Sequence, residues 1–263
     1  MRALAAFLSL TLIGAAPPPR RVLSMNLCAD QYLIALADRG QIAGLSKLAR
    51  DPSLSAGAAS AASLPIAGAS AEEVLALGPD LVLTGWAGQA DAALRLGLQA
   101  RAMAVPPANS YADIRQQVRL VATALGHPVR AEVLIARMDR ALAMVPRTGK
   151  GRVAAEYQRR GFLGGPDTLV DEMMRRVGLV NLAARLGRPA LSQASLEEIV
   201  AARPDLILAD DGAAHDLGSA MVRHPALRGI PRVHVAEALT TCGGPAFPDA
   251  VRALSAAAAR IRH

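Results

Sequence analysis

Displaced by 125 positions (195 − 70), the sequence matches itself over fourteen residues. Ser70-Ala71-Glu72-Glu73-Val74-Leu75-Ala76-Leu77-Gly78-Pro79-Asp80-Leu81-Val82-Leu83 lies over Ser195-Leu196-Glu197-Glu198-Ile199-Val200-Ala201-Ala202-Arg203-Pro204-Asp205-Leu206-Ile207-Leu208. Eight positions are identical and three more exchange one aliphatic residue for another. Each copy has its own physical logic. The serine caps a short helix, and the acidic pair sits in its first turn, where the helix dipole favours carboxylates. The proline cannot continue the helix and turns the chain. The aliphatic run after Pro-Asp suits a strand buried on both faces. A chain with two such units at this separation is organised as a duplication.

The surroundings repeat more loosely. Residues Arg21 to Leu27 read as a strand, Ala29 to Asp38 as a helix and Ile42 to Leu45 as a second strand. In the second half, Arg152 to Tyr157 reads as a strand and Thr168 to Val177 as a helix. Between them, Ile114, Val118, Val121 and Leu125 recur at helical spacing, as do Leu134, Met138, Ala141 and Val145 after the Gly126-His127-Pro128 break. A closing helix is expected from Asp249 to Arg262. The alternation predicts an α/β fold: two Rossmann-like lobes with parallel sheets, joined by a single long helix near Val129 to Val145. The expected divisions are a signal peptide at 1–16, an N-terminal lobe at 21–112, linking helices at 113–147 and a C-terminal lobe at 148–263. A helical joint between two lobes implies a cleft with restricted hinge motion.

Arg2, the apolar run Ala3 to Ile13 and the small residues Gly14-Ala15-Ala16 have the layout of a cleavable secretory signal. Eleven apolar residues are too few for a spanning helix, which needs about 20. The expected location is therefore the periplasm. Of 263 residues, 52% are apolar and 19% charged, which excludes general disorder. The formal charge of +7 is carried almost entirely by arginine, without a basic run or interleaved aromatics, so no nucleic-acid groove is expected. Two cysteines are too few for zinc fingers or iron–sulfur clusters.

In open parallel sheets, ligands sit beyond the carboxyl ends of the strands. Those ends hold Cys28, Leu48 to Asp51, Thr84 to Trp86, Pro106 to Tyr111, Tyr157 to Gly165, Asp210-Asp211 and Thr240 to Gly244. The only tryptophan, two of the three tyrosines and Phe162 fall there, near Arg50, Arg159 and Arg160. Aromatic faces beside guanidinium groups suit a flat, partly anionic ligand. Gap filling is the competing reading for Trp86 and Phe162, and Tyr32 reads as core. The candidate ligand-binding residues are Cys28, Arg50, Trp86, Tyr157, Arg159, Phe162, Thr241 and Cys242. Gly164-Gly165 and Gly243-Gly244 read as turns. Phosphate-loop, nucleophile-elbow, zincin and dinucleotide motifs are absent, and the five histidines show no i, i+4 spacing. No catalytic residue and no metal site are assigned. Cys28 and Cys242 come from strand ends of opposite lobes, and three readings compete: a cross-cleft disulfide, two thiolates touching a metal-bearing ligand, or two separately buried residues.

At the repeat and the strand-end segments, including Ile42-Ala43-Gly44-Leu45-Ser46, the mature chain resembles the periplasmic substrate-binding proteins of ABC importers for cobalamin and ferric siderophores. The resemblance implies two α/β lobes, a ligand clamped between them with little closure, and one glutamate at each lobe tip that pairs with permease arginines. Counting from each Pro-Asp, those glutamates fall on Glu72 and Glu197. Trp86 lies within two positions of a tryptophan that packs on the corrin ring in this family. The family's tyrosine in the second-strand loop is Leu48 here, and its aromatic-rich segment before the last helix is Leu239 to Pro245, which has no aromatic. The implied protein is a monomeric binding module without a cofactor of its own. It delivers a corrinoid or ferric-siderophore-type metal chelate to ABC importer permease subunits. The alternatives are a heme or metal-ion binder of the same fold, for which Tyr157 is the axial-ligand candidate, or an exported α/β hydrolase.

Overall fold

The computed structural model describes residues 17–68, 70–86, 88, 100–209 and 221–261. The signal stretch at 1–16 and the pair Asp210-Asp211 lie outside the described residues.

The two repeat copies fold alike, down to their caps. Helices α3 (Ala71–Leu77) and α8 (Leu196–Ala202) each start at a serine whose side chain accepts the backbone N–H of the glutamate three residues on. Both end in the left-handed region, at Gly78 (φ 51°) and Arg203 (φ 46°). Glycine takes that conformation freely and arginine does not, so the second copy is the strained one. The aspartate of each Pro-Asp then ties the outgoing strand to the first strand of its own half. Asp80 accepts from the backbone N–H of Arg20 and Arg21, and Asp205 accepts from that of Val153 at 2.6 Å.

Strands β1 (Val22–Ser24), β2 (Ile42–Gly44), β3 (Leu81–Thr84) and β4 (Arg101–Ala104) form a parallel sheet in the order β2-β1-β3-β4. The second sheet runs β10-β9-β5-β6-β8, with β7 (Val180–Asn181) also paired to β5 (Val153–Tyr157). Its other members are β6 (Phe162–Gly164), β8 (Leu191–Gln193), β9 (Leu206–Leu208) and β10 (Arg232–Val233). Within each half, β1–β3 and β5–β9 are parallel and share a register: Ser24 faces Leu83 as Glu156 faces Leu208.

The expectation of purely parallel sheets is corrected in the second half. There β6 runs antiparallel to both β5 and β8. A parallel partner would need a crossover of a dozen residues. Here Arg160 (φ 58°) and Gly161 (φ 75°) take left-handed backbone and return the chain at once, closed by Gln158 N–H donating to Phe162 O at 2.7 Å. Gly164, expected in a turn, lies in β6 instead.

Two element starts also moved. Helix α1 (Leu27–Leu36) begins two residues early because Asn26 caps it, accepting from the N–H of Cys28 and Ala29, which shortens β1. The last helix, α10 (Phe247–Ala259), starts with Pro248 in its first turn.

The halves are linked by two helices divided at the expected Gly126-His127-Pro128 break, α4 (Tyr111–Ala124) and α5 (Pro128–Ala143), folded back on each other at Gly126 (φ 84°). Helix α4 packs on α1, while α5 packs on α10, which in turn packs on α6 (Leu169–Val177). The largest apolar cluster consequently runs through both halves, with a smaller one in each. It includes Leu83 of the first, Ile114 and Met138 of the link, and Val170, Leu208 and Phe247 of the second. Tyr111 and Phe247 stack at 5.6 Å within it.

Candidate ligand cleft

The second sheet ends its parallel strands at an open hollow. A cavity of about 580 Å³ lies over the carboxyl ends of β5 and β9, bounded by Glu156, Gln158, Arg159, Phe162 and Thr241. A second, of about 380 Å³, shares Glu156, Gln158, Val170, Thr240 and Thr241 with the first. It is closed on the other side by Cys28, Pro107, Ala108 and Asn109 of the first half. Together they make an inter-lobe cleft of the size that holds small-molecule ligands. Helix α9 (Glu237–Thr240) supplies one wall, where Thr241 Oγ1 donates to Glu237 O at 2.8 Å.

Cys28 and Cys242 are joined by a disulfide, with Cα atoms 5.3 Å apart. The reading of these two residues as ligand-binding thiolates is thereby corrected, since neither sulfur is free to bind a metal. Cys28 still lines the cleft wall. The neighbouring backbone is clamped too: Tyr32, fully buried, donates its hydroxyl to Gly243 O at 2.8 Å.

Of the other expected site residues, Arg159, Phe162 and Thr241 border the larger cavity. Trp86 is 62% exposed at the end of β3 and borders neither cavity. Arg50 is turned aside. Its guanidinium donates to the carbonyls of Ala61 and Leu64, holding the loop after β2 rather than facing the cleft. Tyr157 is fully buried and donates its hydroxyl to Ala194 O at 3.2 Å. Strand alternation explains this: Tyr157 points away from the face that Glu156 presents. Tyr111 gives its hydroxyl to Asp139 at 2.6 Å. All three tyrosine hydroxyls are therefore committed inside the protein. Among the described residues, no group of three or more His, Cys, Asp or Glu side chains is arranged to hold a metal ion.

Glu156 was not singled out from the sequence, although a carboxylate within the apolar strand Val-Ala-Ala-Glu-Tyr was the available signal. It is 8% exposed, and Gln158 Nε2 donates to it at 2.7 Å. Burial, with a smaller contribution from the nearby Asp171 carboxylate, pushes its carboxyl up to about 7 against the Gln158 hydrogen bond.

Glu72 and Glu197 are exposed in the first turns of α3 and α8. In each acidic pair the second glutamate is engaged with the capping serine: Glu198 Oε2 accepts from Ser195 N–H at 2.8 Å, and Ser70 Oγ donates to Glu73 at 3.3 Å. Glu198 also pairs with Arg188. The helix-end N–H and the Ser195 hydroxyl hold the Glu197 carboxyl below the ordinary range, so it stays charged.

Residues 22–234 match a family model described as periplasmic binding protein. A comparison with curated proteins found no match. Among solved structures, the chain is similar to the periplasmic heme-binding protein RhuT from Roseiflexus sp. RS-1 in apo form. That likeness is 25% identity, 91% of this chain, 98% of that chain and a TM-score of 0.69. The periplasmic heme-binding protein HutB of Vibrio cholerae matches at 18% identity, 90% and 97% coverage and a TM-score of 0.73. A possible iron-binding (periplasmic solute-binding) protein from Staphylococcus epidermidis matches at 16% identity, 91% and 98% coverage and a TM-score of 0.73. The last two likenesses establish the shared two-lobe fold.

Proposed function

Because this chain belongs to the periplasmic binding protein family, we propose that it captures a metal chelate in the inter-lobe cleft and delivers it to an ABC importer. The observation that carries the reading is the character of the cleft. It is lined by hydrogen-bonding groups, the Phe162 ring, Arg159 and Arg160, and among the described residues there is no donor cluster for a bare ion. A chelate arrives with its metal already coordinated, so the protein has only to recognise its outer surface. A corrinoid or a ferric siderophore meets that description. Arginine at the rim suits the carboxylate, catecholate or phosphate groups such ligands carry.

Capture of this kind requires no catalytic residue. It requires a preformed cleft and a difference in affinity between free and occupied states. Glu72 and Glu197, exposed at matching positions of the two halves, are the contacts proposed for the permease subunits. The family is periplasmic, and no helix among the described residues is long and apolar enough to cross a membrane.

Heme is the second reading, favoured by the ligands named for RhuT and HutB. Against it stands the commitment of all three tyrosine hydroxyls, which leaves no phenol to bind iron axially. Spectral titration of the purified mature protein with cyanocobalamin, ferric enterobactin and hemin separates the readings. Saturable one-to-one binding of cyanocobalamin or ferric enterobactin is the expected result. Binding of hemin alone would establish the second reading, and binding of none would overturn both.

A further inference from the structure

The cleft wall of the second half carries a group with no counterpart in the first. Register aligns Ser24 with Glu156, since they stand opposite Leu83 and Leu208, which are themselves repeat equivalents. Ser24 is small and donates to the carbonyl of Asn26. Glu156 instead lays its carboxyl over Gly164, its partner in the antiparallel ladder. A Cβ at position 164 would lie 1.9 Å from Glu156 Oε2, so the glycine makes the room the carboxyl occupies. The same carboxyl borders both cavities at once. Gln158 is its hydrogen-bond donor, and among the described residues it forms no ion pair.

Its charged surroundings are uneven. Strands β6, β7 and β9 place no charged side chain beside it. From α6 comes Asp171, already bonded to Arg175 and Asn181. Helix α7 (Leu182–Arg185) contributes only the exposed Arg185. Around the two cavities stand Arg159, Arg160, Asp167 and Glu237.

Resting on the chelate reading above, we propose that Glu156 meets the ligand as a neutral carboxylic acid and donates its proton to a carbonyl or anionic oxygen on the chelate. Glu156 is then a specificity-determining residue for oxygen-rich ligands. A buried carboxylate would repel such an oxygen, whereas the acid form supplies a donor at the same place. The balance is simple: the proton stays on Glu156 and is shared in a hydrogen bond, and no covalent bond forms or breaks. Since burial pushes the free group up to about 7, the ligand-free protein holds both forms near neutrality. Binding draws the ionised fraction back to the acid, and affinity falls as the pH rises.

The test uses the mature, disulfide-bonded protein and its Glu156→Gln variant. Both are titrated with cyanocobalamin, ferric enterobactin and hemin between pH 6 and 9, alongside 13C NMR titration of the Glu156 carboxyl in the ligand-free wild type. For a probe that binds, the wild-type Kd is expected to rise about tenfold from pH 8 to 9, while Glu156→Gln, which keeps an N–H donor, shows a flat profile. The carboxyl is expected to titrate near 7. The same pH slope in both proteins, or a carboxyl midpoint near 4.5, would overturn the proposal. A midpoint near 7 with no probe bound by either protein would instead defeat the chelate reading, and the ligand contact with it.

Discussion

Cys28 and Cys242, 214 positions apart, are joined where the first turn of α1 meets the segment leading into α10. The bond closes most of the chain into one loop, and its Cys28 end lines the cleft wall. In the chain-entropy picture a loop of that length stabilises the folded state by about 5 kcal/mol. Reduction, or the Cys28→Ser/Cys242→Ser pair, should lower Tm strongly and by similar amounts. An unchanged melting curve after verified reduction would contradict this.

Adjacent glutamates in each repeat are expected to fail in different ways. Glu72→Lys and Glu197→Lys keep the serine caps but place a cation at a helix start, so ligand affinity should hold and Tm should fall only slightly while uptake through the importer is lost. Glu198→Ala removes a cap contact and the Arg188 pair and should cost about 1 kcal/mol of stability. Uptake assays and thermal melts on the same set of variants check both halves, and loss of ligand binding in Glu197→Lys would refute the division.

Stability should carry the signature of Glu156. Its carboxyl is raised from 4.5 to about 7 on folding, so the native chain binds more protons than the unfolded chain between those values. The stability this group contributes is complete below about pH 4.5 and is lost as the pH rises through 7. Glu156→Gln has no such titration. By pH 8 the wild type should have fallen relative to the variant by up to about 3 kcal/mol. Denaturation curves of the two proteins that stay parallel from pH 4 to 8 would rule this out.

Tyr157→Phe separates packing from ligation. The hydroxyl donates to Ala194 O inside the second half, so its loss should cost about 1 kcal/mol. Bound hemin, if the protein takes it, should keep the same absorption spectrum in this variant. A shifted Soret band would show instead that Tyr157 reaches the iron.

The repeat was legible because cap, proline and aspartate act locally and leave the same marks twice. The helical periods from Ile114 to Leu125 and from Leu134 to Val145 are legible for the same reason. The first set, Leu134 and Met138 are buried, while Ala141 and Val145 are only half-buried where the second helix ends at Ala143. The antiparallel β6 was not, because its cause is backbone conformation at Arg160 and Gly161 rather than side-chain pattern. Arg50 and Tyr157 were assigned to the ligand from their places at strand ends. Position along a strand does not say which way a side chain turns, and both turned to backbone carbonyls. Glu156 was passed over because a single charge in an apolar strand looks like an interruption until its glycine partner across the ladder is known.

Helix α10 contributes Phe247 to the stack on Tyr111, packs along both α5 and α6, and receives the hydroxyl of Thr148 at the carbonyl of Ser255, 2.7 Å away. It lies more than a hundred residues along the chain from α4 and α5, counted from Phe247. A polypeptide emerging amino end first therefore leaves the faces of those earlier helices open until α10 has been made. Closure waits on that one distant helix, and its docking sets the point at which the molecule becomes resistant to proteases.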